Sequence, residues 1–316
     1  MKDILEKRAA IVRGIRGFFD DQGFIEVETA VRIPAPAPEE HIDCPPVVGG
    51  GYLRASPELQ MKKLLAAGMD RIYQIGPCFR EGERGSRHNP EFTMIEWYRR
   101  GANYLDIMED LKRLFADLLK VQGSRLKVDD DDFKLSTLDF KLVRVRDAYR
   151  EFAGWDPWVG DWDQDRFDFD MATKIEPAIK AMGGGVFLMD YPSQAASLAK
   201  TVPCASCLVP CAGNEVQSTK HEAQSTTYAE RWEFYWDGLE LANCFTELCD
   251  RDEQLKRFEA AKSARKALKE SDYQLDYEFI DALPQIGSAA GVALGVDRLV
   301  MVLTKTKEIS AVRACI

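Results

Sequence analysis

The sequence contains no apolar run of about 18 residues, the length that a helix needs to cross a membrane. Its first 21 residues carry acidic and basic side chains, so they lack the apolar core of a secretion signal. No Gly/Ser-rich or Pro-rich linker divides the chain, whose length of 316 residues allows one large domain or two. We therefore expect a cytoplasmic protein with one domain over residues 1–316.

A net positive charge is also missing. The formal net charge is −10 and the pI is near 5.1. These values argue against an extended basic surface for nucleic acid, so binding to tRNA is not expected. The eight cysteines are scattered along a long chain and are best interpreted as reduced thiols.

The most informative segment runs from Cys78 to Tyr98. It reads as two apolar strands joined by a polar loop, with Arg80 at the entry and His88 and Phe92 at the exit. Arginine offers a planar charged fork for phosphate oxygens. Histidine can add a second phosphate contact, and an aromatic ring provides a face for a purine. The segment predicts a nucleotide site, although a hairpin with a solvated loop is the alternative.

The second strand of this segment carries a carboxylate in apolar surroundings. A period of two residues puts Glu96 on the same face as Phe92, Met94 and Tyr98. A carboxylate in such a place is costly unless a positive group pairs with it. We therefore predict that Glu96 accepts a cationic group of a substrate. A structural ion pair with an arginine of the protein is the alternative.

Residues 229–243 form the strongest predicted hairpin. Asp237-Gly238 is typical of a two-residue type I′ turn, which pairs Trp236 with Leu239, Tyr235 with Glu240 and Phe234 with Leu241. That register puts Glu233 and Glu240 on one face, about 7–8 Å apart. Two converging carboxylates suggest Mg²⁺; the alternative is that both point to water.

Two further polar residues of the second hairpin strand are Asn243 and Glu247. In a perfect strand they would fall on the other face. A bulge near Asn243 or Cys244 would be needed to bring Glu247 round.

Residues 291–301 alternate small and apolar residues and then become helical in pattern. Small residues let a ligand approach the backbone closely, although tight packing explains glycines equally well. Arg298 lies at the predicted junction of strand and helix. It is therefore a second candidate for a phosphate-binding arginine, beside Arg80.

Other predicted elements complete the pattern. Apolar spacing predicts a helix at 3–22 that stops at Gly23, and a strand follows at 24–27. Ser56 precedes a helix that runs to Gly68. A strand is predicted at 71–79 and an amphipathic helix at 104–121, and Trp155, Trp158 and Trp162 are expected to serve packing.

Taken together, these motifs resemble the class II aminoacyl-tRNA synthetases, and within them the lysyl branch. The N-terminal helix with residues 23–29 resembles the first class motif, Arg80 with His88 and Phe92 the second, and the strand ending at Arg298 the third. Residues 88–94 and 240–243 are far more specific to lysine enzymes. The resemblance implies an α+β fold, with a central antiparallel sheet flanked by helices, and a homodimer formed through the first motif.

The resemblance also implies a set of site residues. The expected reaction is attack of a substrate carboxylate on the α-phosphorus of ATP, with Arg80 and Arg298 as the catalytic residues. ATP contacts are implied for Arg80, Glu83, His88, Phe92, Glu240 and Arg298, and Mg²⁺ ligands for Glu233 and Glu240. Amino-acid contacts are implied for Ser56, Glu58, Glu96, Tyr98, Asn243, Phe245, Glu247 and Ala293.

The first motif begins almost at Met1, so we expect no anticodon-binding barrel before it. A lysyl-type catalytic domain alone is similar to ligases that activate (R)-β-lysine as an adenylate and transfer it to a lysine of elongation factor P. Ser56 and Ala293 agree with that branch, since tRNA-charging enzymes tend to have alanine and glycine there. The alternatives are a reduced synthetase that charges tRNA and a non-catalytic regulatory paralogue.

Three departures limit the resemblance. Gly82 stands where the second motif usually has glutamate, so Glu83 is expected to replace it. Ala30 replaces the proline of the first motif, which puts the dimer interface in question. Residues 203–222 form an apparent insertion. Its cysteines and histidine could hold tetrahedral Zn²⁺, although a loop without metal is the alternative; they are Cys204, Cys207, Cys211 and His221.

Overall fold

The computed structural model describes residues 1–39, 42–125, 140–203, 227–268 and 271–314. In these ranges the helices are α1 (Lys2–Asp21), α2 (Glu58–Ala66), α3 (Tyr104–Arg125), α4 (Val145–Ala148), α5 (Gln164–Asp170), α6 (Glu176–Met182), α7 (Arg251–Leu268), α8 (Tyr277–Ile286) and α9 (Val296–Thr304). The strands are β1 (Ile25–Glu26), β2 (Arg32–Ile33), β3 (Tyr52–Leu53), β4 (Arg71–Phe79), β5 (Glu91–Arg100), β6 (Phe140–Arg144), β7 (Gly185–Pro192), β8 (Thr201–Pro203), β9 (Thr227–Trp236), β10 (Leu239–Thr246) and β11 (Ala289–Gly295).

One large sheet organises the fold, in the order β1-β4-β5-β11-β10-β9-β7-β6, with β8 paired to β9. The inner pairs from β4 to β7 are antiparallel, whereas β1 pairs with β4 and β6 with β7 in parallel. The predicted α+β fold with a central antiparallel sheet is confirmed, and its parallel ends make the whole sheet mixed. Among the described helices, none is both long and apolar enough to cross a membrane.

The two faces of the sheet differ in chemistry. One face carries Ile95, Trp97, Trp232 and Val292, which are buried in a core with residues of α1, α3 and α9. Because side chains alternate along each strand, their neighbours point to the opposite face. Helices α2 and α8 and the segment with α4 to α6 add separate apolar clusters at the flanks. Because the core under α1, α3 and α9 covers only one face, the other face of the sheet can carry polar side chains.

Most predicted elements agree with the structure. The helix predicted at 3–22 is α1, which ends before Gly23 at a positive φ of 74°. The strand predicted at 71–79 is β4, and the helix predicted at 104–121 extends to residue 125. The three tryptophans are half-buried and pack against a core cluster, as expected.

The β9–β10 hairpin confirms the turn and corrects the register. Asp237 and Gly238 both have positive φ, as a type I′ turn requires. Trp236 pairs with Leu239 and Tyr235 with Glu240, as predicted. The predicted pair of Phe234 with Leu241 is wrong, because Phe234 pairs with Ala242. One extra residue therefore forms a β-bulge between Glu240 and Ala242, earlier than the position predicted for it.

The hairpin turn gives a test of the fold. A Cβ on Gly238 would lie 2.4 Å from Cβ of Lys180 on α6, and φ there is +75°. We expect Gly238→Ala to lower the free energy of unfolding by about 2–3 kcal/mol, because backbone strain and a steric clash add. Gly160→Ala is the control, since φ is +87° and no atom lies within 4 Å of the added Cβ. Urea unfolding measures the free energy of unfolding of both variants. Equal losses would contradict close packing of the turn against Lys180.

Candidate active site

A cavity of about 350 Å³ opens on the polar face of the sheet. It lies over β5, β11, β10 and β9, and α2 and the loop between β4 and β5 complete its wall. Fourteen of the residues implied by the resemblance line it: Ser56, Glu58, Arg80, Glu83, His88, Phe92, Glu96, Tyr98, Glu233, Glu240, Asn243, Phe245, Ala293 and Arg298. Glu247 does not line it, because its side chain is buried behind Lys62.

Strand pairing brings four of these residues into one row across the sheet. Glu96 pairs with Ala293, Ala293 with Asn243, and Asn243 with Glu233. Residues directly opposite one another project to the same face of a sheet. Without the bulge, Asn243 would pair with Trp232 and face the apolar core. The bulge therefore places Asn243 and Phe245 in the cavity.

Glu96 accepts hydrogen bonds from two hydroxyls. Ser56 Oγ lies 2.7 Å from one carboxylate oxygen, and Tyr98 Oη lies 2.7 Å from the other. Burial, followed by the charge of Glu58, raises the pKa of Glu96 to about 7 despite these two donors. The partners of Glu96 are thus hydroxyls and not the arginine of the alternative interpretation. A cation in the cavity would stabilise the ionised carboxylate.

Beside Glu96, a buried lysine holds the other two carboxylates of this pocket. Lys62 Nζ lies 2.5 Å from Glu58 Oε1 and contacts Glu247 Oε2. It also lies 5.0 Å from the centre of the Phe245 ring. Burial lowers the pKa of Lys62, but Glu247 and Glu58 outweigh it and raise the pKa above its ordinary value. Lys62 therefore stays protonated between them.

Small residues of β11 form the floor of the pocket. Gly291 pairs with Tyr98, and a Cβ there would lie 2.1 Å from the tyrosine ring. Only glycine therefore lets Tyr98 lie flat and direct its hydroxyl to Glu96. Ala293 sits opposite Glu96 in the same pairing, so its methyl group is adjacent to this carboxylate.

The other end of the cavity carries arginines and centres on Arg298. Its Nη1 donates to the Glu240 carbonyl at 2.9 Å and lies 3.4 Å from the Glu240 carboxylate. Its Nη2 lies 2.6 Å from His88 Nε2. Burial and then Arg298 lower the pKa of His88, so the neutral imidazole accepts this bond. Arg298 thus joins the second and third motifs in space.

Arg80 lines the same end. Its guanidinium carbon lies 5.2 Å from the centre of the Phe92 ring, and Nη1 lies 3.5 Å from Glu83. The Nε of Arg80 and the Nδ2 of Asn89 are buried without a hydrogen-bond partner among the described residues. Buried donors without partners are rare. Both residues line the cavity, where a hydrogen-bond-accepting ligand would bind.

Glu233 and Glu240 face the cavity together. Glu233 accepts hydrogen bonds from Arg231 Nη2 and from Tyr235 Oη, each at 2.6 Å. Withdrawal from water and then the charge of Glu233 raise the pKa of Glu240. Arg231 and Arg298 accompany this pair of carboxylates, which could supply two oxygen ligands to a divalent cation whose other ligands would be phosphate oxygens and water.

Over the part of the chain that the structure describes, no cluster of three histidine, cysteine, aspartate or glutamate residues is arranged to hold a metal. The residues proposed for Zn²⁺, Cys204, Cys207, Cys211 and His221, lie outside the described ranges. The zinc hypothesis therefore stays a prediction.

Three residues of the site were not among those predicted. Lys62 lies four residues after Glu58 on a helix, a spacing that brings side chains together. Arg231 alternates with Glu233 on β9 and donates to Asn243 Oδ1 at 3.1 Å. Asn89 belongs to the segment already singled out. The helical spacing from Glu58 could have predicted Lys62, and the strand alternation with Glu233 could have predicted Arg231.

The sequence model of a family described as "tRNA synthetases class II (D, K and N)" matches residues 1–315 of this chain. Among curated proteins, the elongation factor P–(R)-beta-lysine ligase of Yersinia enterocolitica is 35% identical over 98% of this chain and 94% of its own length. Proteins of the same name from Proteus mirabilis and Photorhabdus laumondii are 36% and 37% identical, with the same coverage.

The raised pKa of Glu96 gives a test of the pocket. The native carboxyl keeps its proton up to about pH 7, whereas the unfolded one loses it near pH 4.5. The native state therefore binds more protons in this window, and stability falls as pH rises through it. We expect wild type to lose up to roughly 3 kcal/mol of unfolding free energy relative to Glu96→Gln across the window.

Urea unfolding at a series of pH values checks this expectation. The exposed Glu6→Gln variant is the control and should keep the pH dependence of wild type. A constant difference between wild type and Glu96→Gln at every pH would contradict the assignment.

Proposed function

Because the chain belongs to the class II tRNA synthetase (D, K and N) family, we propose that it activates a lysine-type amino acid with ATP and transfers it to a lysine side chain of elongation factor P. The relatives that carry this activity in their names are 33–37% identical to the chain and cover nearly all of it. The proposed enzyme is an AMP-forming ligase with residues 1–316 as its catalytic domain.

The observation that carries the proposal is that one cavity contains both side chains suited to phosphate and side chains suited to ammonium groups. Arg80, His88 and Arg298 line one end, and Glu58 and Glu96 line the other. A triphosphate suits the first end, because arginine binds phosphate oxygens through a charged fork. An amino acid with ammonium groups suits the second. When both ligands are bound in this way, the carboxylate of the amino acid lies toward the phosphates of ATP.

In the first step, the substrate carboxylate attacks the α-phosphorus of ATP and pyrophosphate leaves. Positioning and charge neutralisation are the main contributions of a protein to phosphoryl chemistry of this kind. Arg80 would neutralise charge at the α-phosphate, and Arg298 with His88 would hold the departing pyrophosphate. Glu83, Phe92 and Glu240 would complete the ATP site.

Mg²⁺ would be held by Glu233 and Glu240 and would supply positive charge to the phosphate oxygens. The hydrogen bonds from Arg231 and Tyr235 hold the Glu233 carboxylate toward Glu240. In the second step, a lysine amine of the acceptor attacks the mixed anhydride, and AMP leaves.

The amino acid would contact residues on both sides of the carboxylate pocket. Glu96 with Tyr98 would bind its side-chain ammonium. The remaining proposed contacts are Ser56, Glu58, Asn243, Phe245 and Ala293. The fully buried Glu247, which was also predicted, would act on the amino acid through Lys62. Ser56 donates to Glu96, and the Ala293 methyl lies opposite it, so these two residues reshape the space around an amino group. That shape supports (R)-β-lysine as the preferred isomer.

We further propose that the protein is cytoplasmic and forms a homodimer through the first motif. The homodimer rests on the resemblance, and Ala30 in the place of the motif proline is the departure to test. Sedimentation of the purified protein would measure the dimer.

The proposed reaction predicts ATP–pyrophosphate exchange that depends on a lysine-type amino acid. Incubation with ATP, (R)-β-lysine and elongation factor P should add the mass of one lysyl group to the factor. Arg80→Met should lower the exchange at least a hundredfold, because it removes charge neutralisation at the α-phosphate. Arg150→Met, an exposed arginine outside the cavity, is the control. Absence of exchange with every lysine isomer, or formation of aminoacyl-tRNA on an acid gel, would contradict the proposal.

The floor of the pocket predicts a change in isomer preference. Ala293→Gly removes the methyl group opposite Glu96 and should raise kcat/KM for α-lysine relative to (R)-β-lysine by about tenfold, a factor typical of one methyl group in a pocket. Ala290→Gly, on the opposite face of β11, is the matched control. Equal ratios in wild type and Ala293→Gly would show that this residue does not select the isomer.

A further inference from the structure

Among the residues that the structure describes, Lys62 is the cation that contacts the carboxylates of the amino-acid pocket. Its side chain is 1% exposed, and it binds Glu58 on its own helix and Glu247 after β10. The ring of Phe245 covers it at 5.0 Å. Lys62 does not line the cavity, whereas Glu58 does. It can therefore act on a ligand only through its partners.

The charges of this pocket can be counted. Glu58, Glu96 and Glu247 all act electrostatically on the Tyr98 hydroxyl, which shows that they surround one point. Burial raises the pKa of Glu96 and Glu247, and two bound ammonium groups would favour their ionised forms. With all three carboxylates ionised, the ammonium of Lys62 offsets one of them and leaves two formal negative charges. Glu39 also lines the cavity near Glu58, and burial followed by the charge of Glu58 raises its pKa, which favours its neutral form. A lysine-type amino acid carries two ammonium groups.

We propose that Lys62 is a positioning residue that holds Glu58 and Glu247 and sets the pocket charge to the value that two ammonium groups neutralise. This inference rests on the proposed function. Removal of one partner of a buried ion pair leaves the other charge uncompensated, so the geometry of the pair depends on both members. Without Lys62, Glu58 would lose its fixed orientation toward the cavity.

Lys62→Met tests the inference, because it keeps the chain length and removes the charge. In amino-acid-dependent ATP–pyrophosphate exchange, the KM for the lysine isomer should rise at least tenfold, while the KM for ATP stays within twofold. Lys63→Met is the matched control at the next residue, which binds Asp276 and Glu278 outside the cavity. A KM for the amino acid within twofold of wild type would overturn the inference.

A double-mutant cycle separates positioning from a general loss of packing. Residues that act as one unit give non-additive effects. The KM of Lys62→Met/Glu247→Gln should therefore lie within about threefold of that of Lys62→Met alone. If the two single effects multiply, Lys62 and Glu247 act independently, and the inference is wrong.

If Lys62→Met does not fold, Lys62→Gln replaces it in the test. Lys62→Gln keeps a hydrogen-bond donor without a charge and should give the same rise in the amino-acid KM; an unchanged KM overturns the inference. Circular dichroism and thermal melting show which variants are folded. Failure of the proposed function is recognised separately, because wild type and Lys63→Met would then also lack exchange with every lysine isomer.

Discussion

The site depends on the pairing register of four antiparallel strands. Their register puts Glu96, Ala293, Asn243 and Glu233 in one row on one face of the sheet. The opposite face is filled by large apolar side chains under α1, α3 and α9. A shift of one residue would exchange the two faces, so the apolar core fixes the register of the polar row. The bulge after Glu240 is the local exception that this arrangement requires.

Charge separation within the cavity gives the row its chemical meaning. The acidic pocket and the arginine end share one space of limited volume, where interactions between charges are stronger than in open water. Glu96, whose pKa burial raises, lies at one end, and Arg80, whose Nε has no hydrogen-bond partner among the described residues, lies at the other. ATP and the amino acid, the two substrates of the proposed first step, would therefore bind in separate but adjoining parts of the cavity.

Much of the fold could be predicted from the sequence, because local patterns determine it. The apolar spacing of α1, the limits of β4 and the Asp-Gly turn were all visible. The position of the bulge was not, since it depends on how β10 packs against β11 and β9. The role of Lys62 was hidden for a similar reason: its partner Glu247 is distant in sequence, and only the folded chain brings the two together.

Asp297, the neighbour of Arg298, has a role that reaches beyond the cavity. Its carboxylate accepts the Thr93 amide at 2.9 Å, binds Arg8 of α1 at 2.5 Å and lies 3.9 Å from Arg313. Arg8, Thr93 and Arg313 therefore meet at one buried acid, one position away from Arg298. Shortening either end of this polypeptide for expression would loosen the anchor of Arg298, even though Arg8 and Arg313 do not line the cavity.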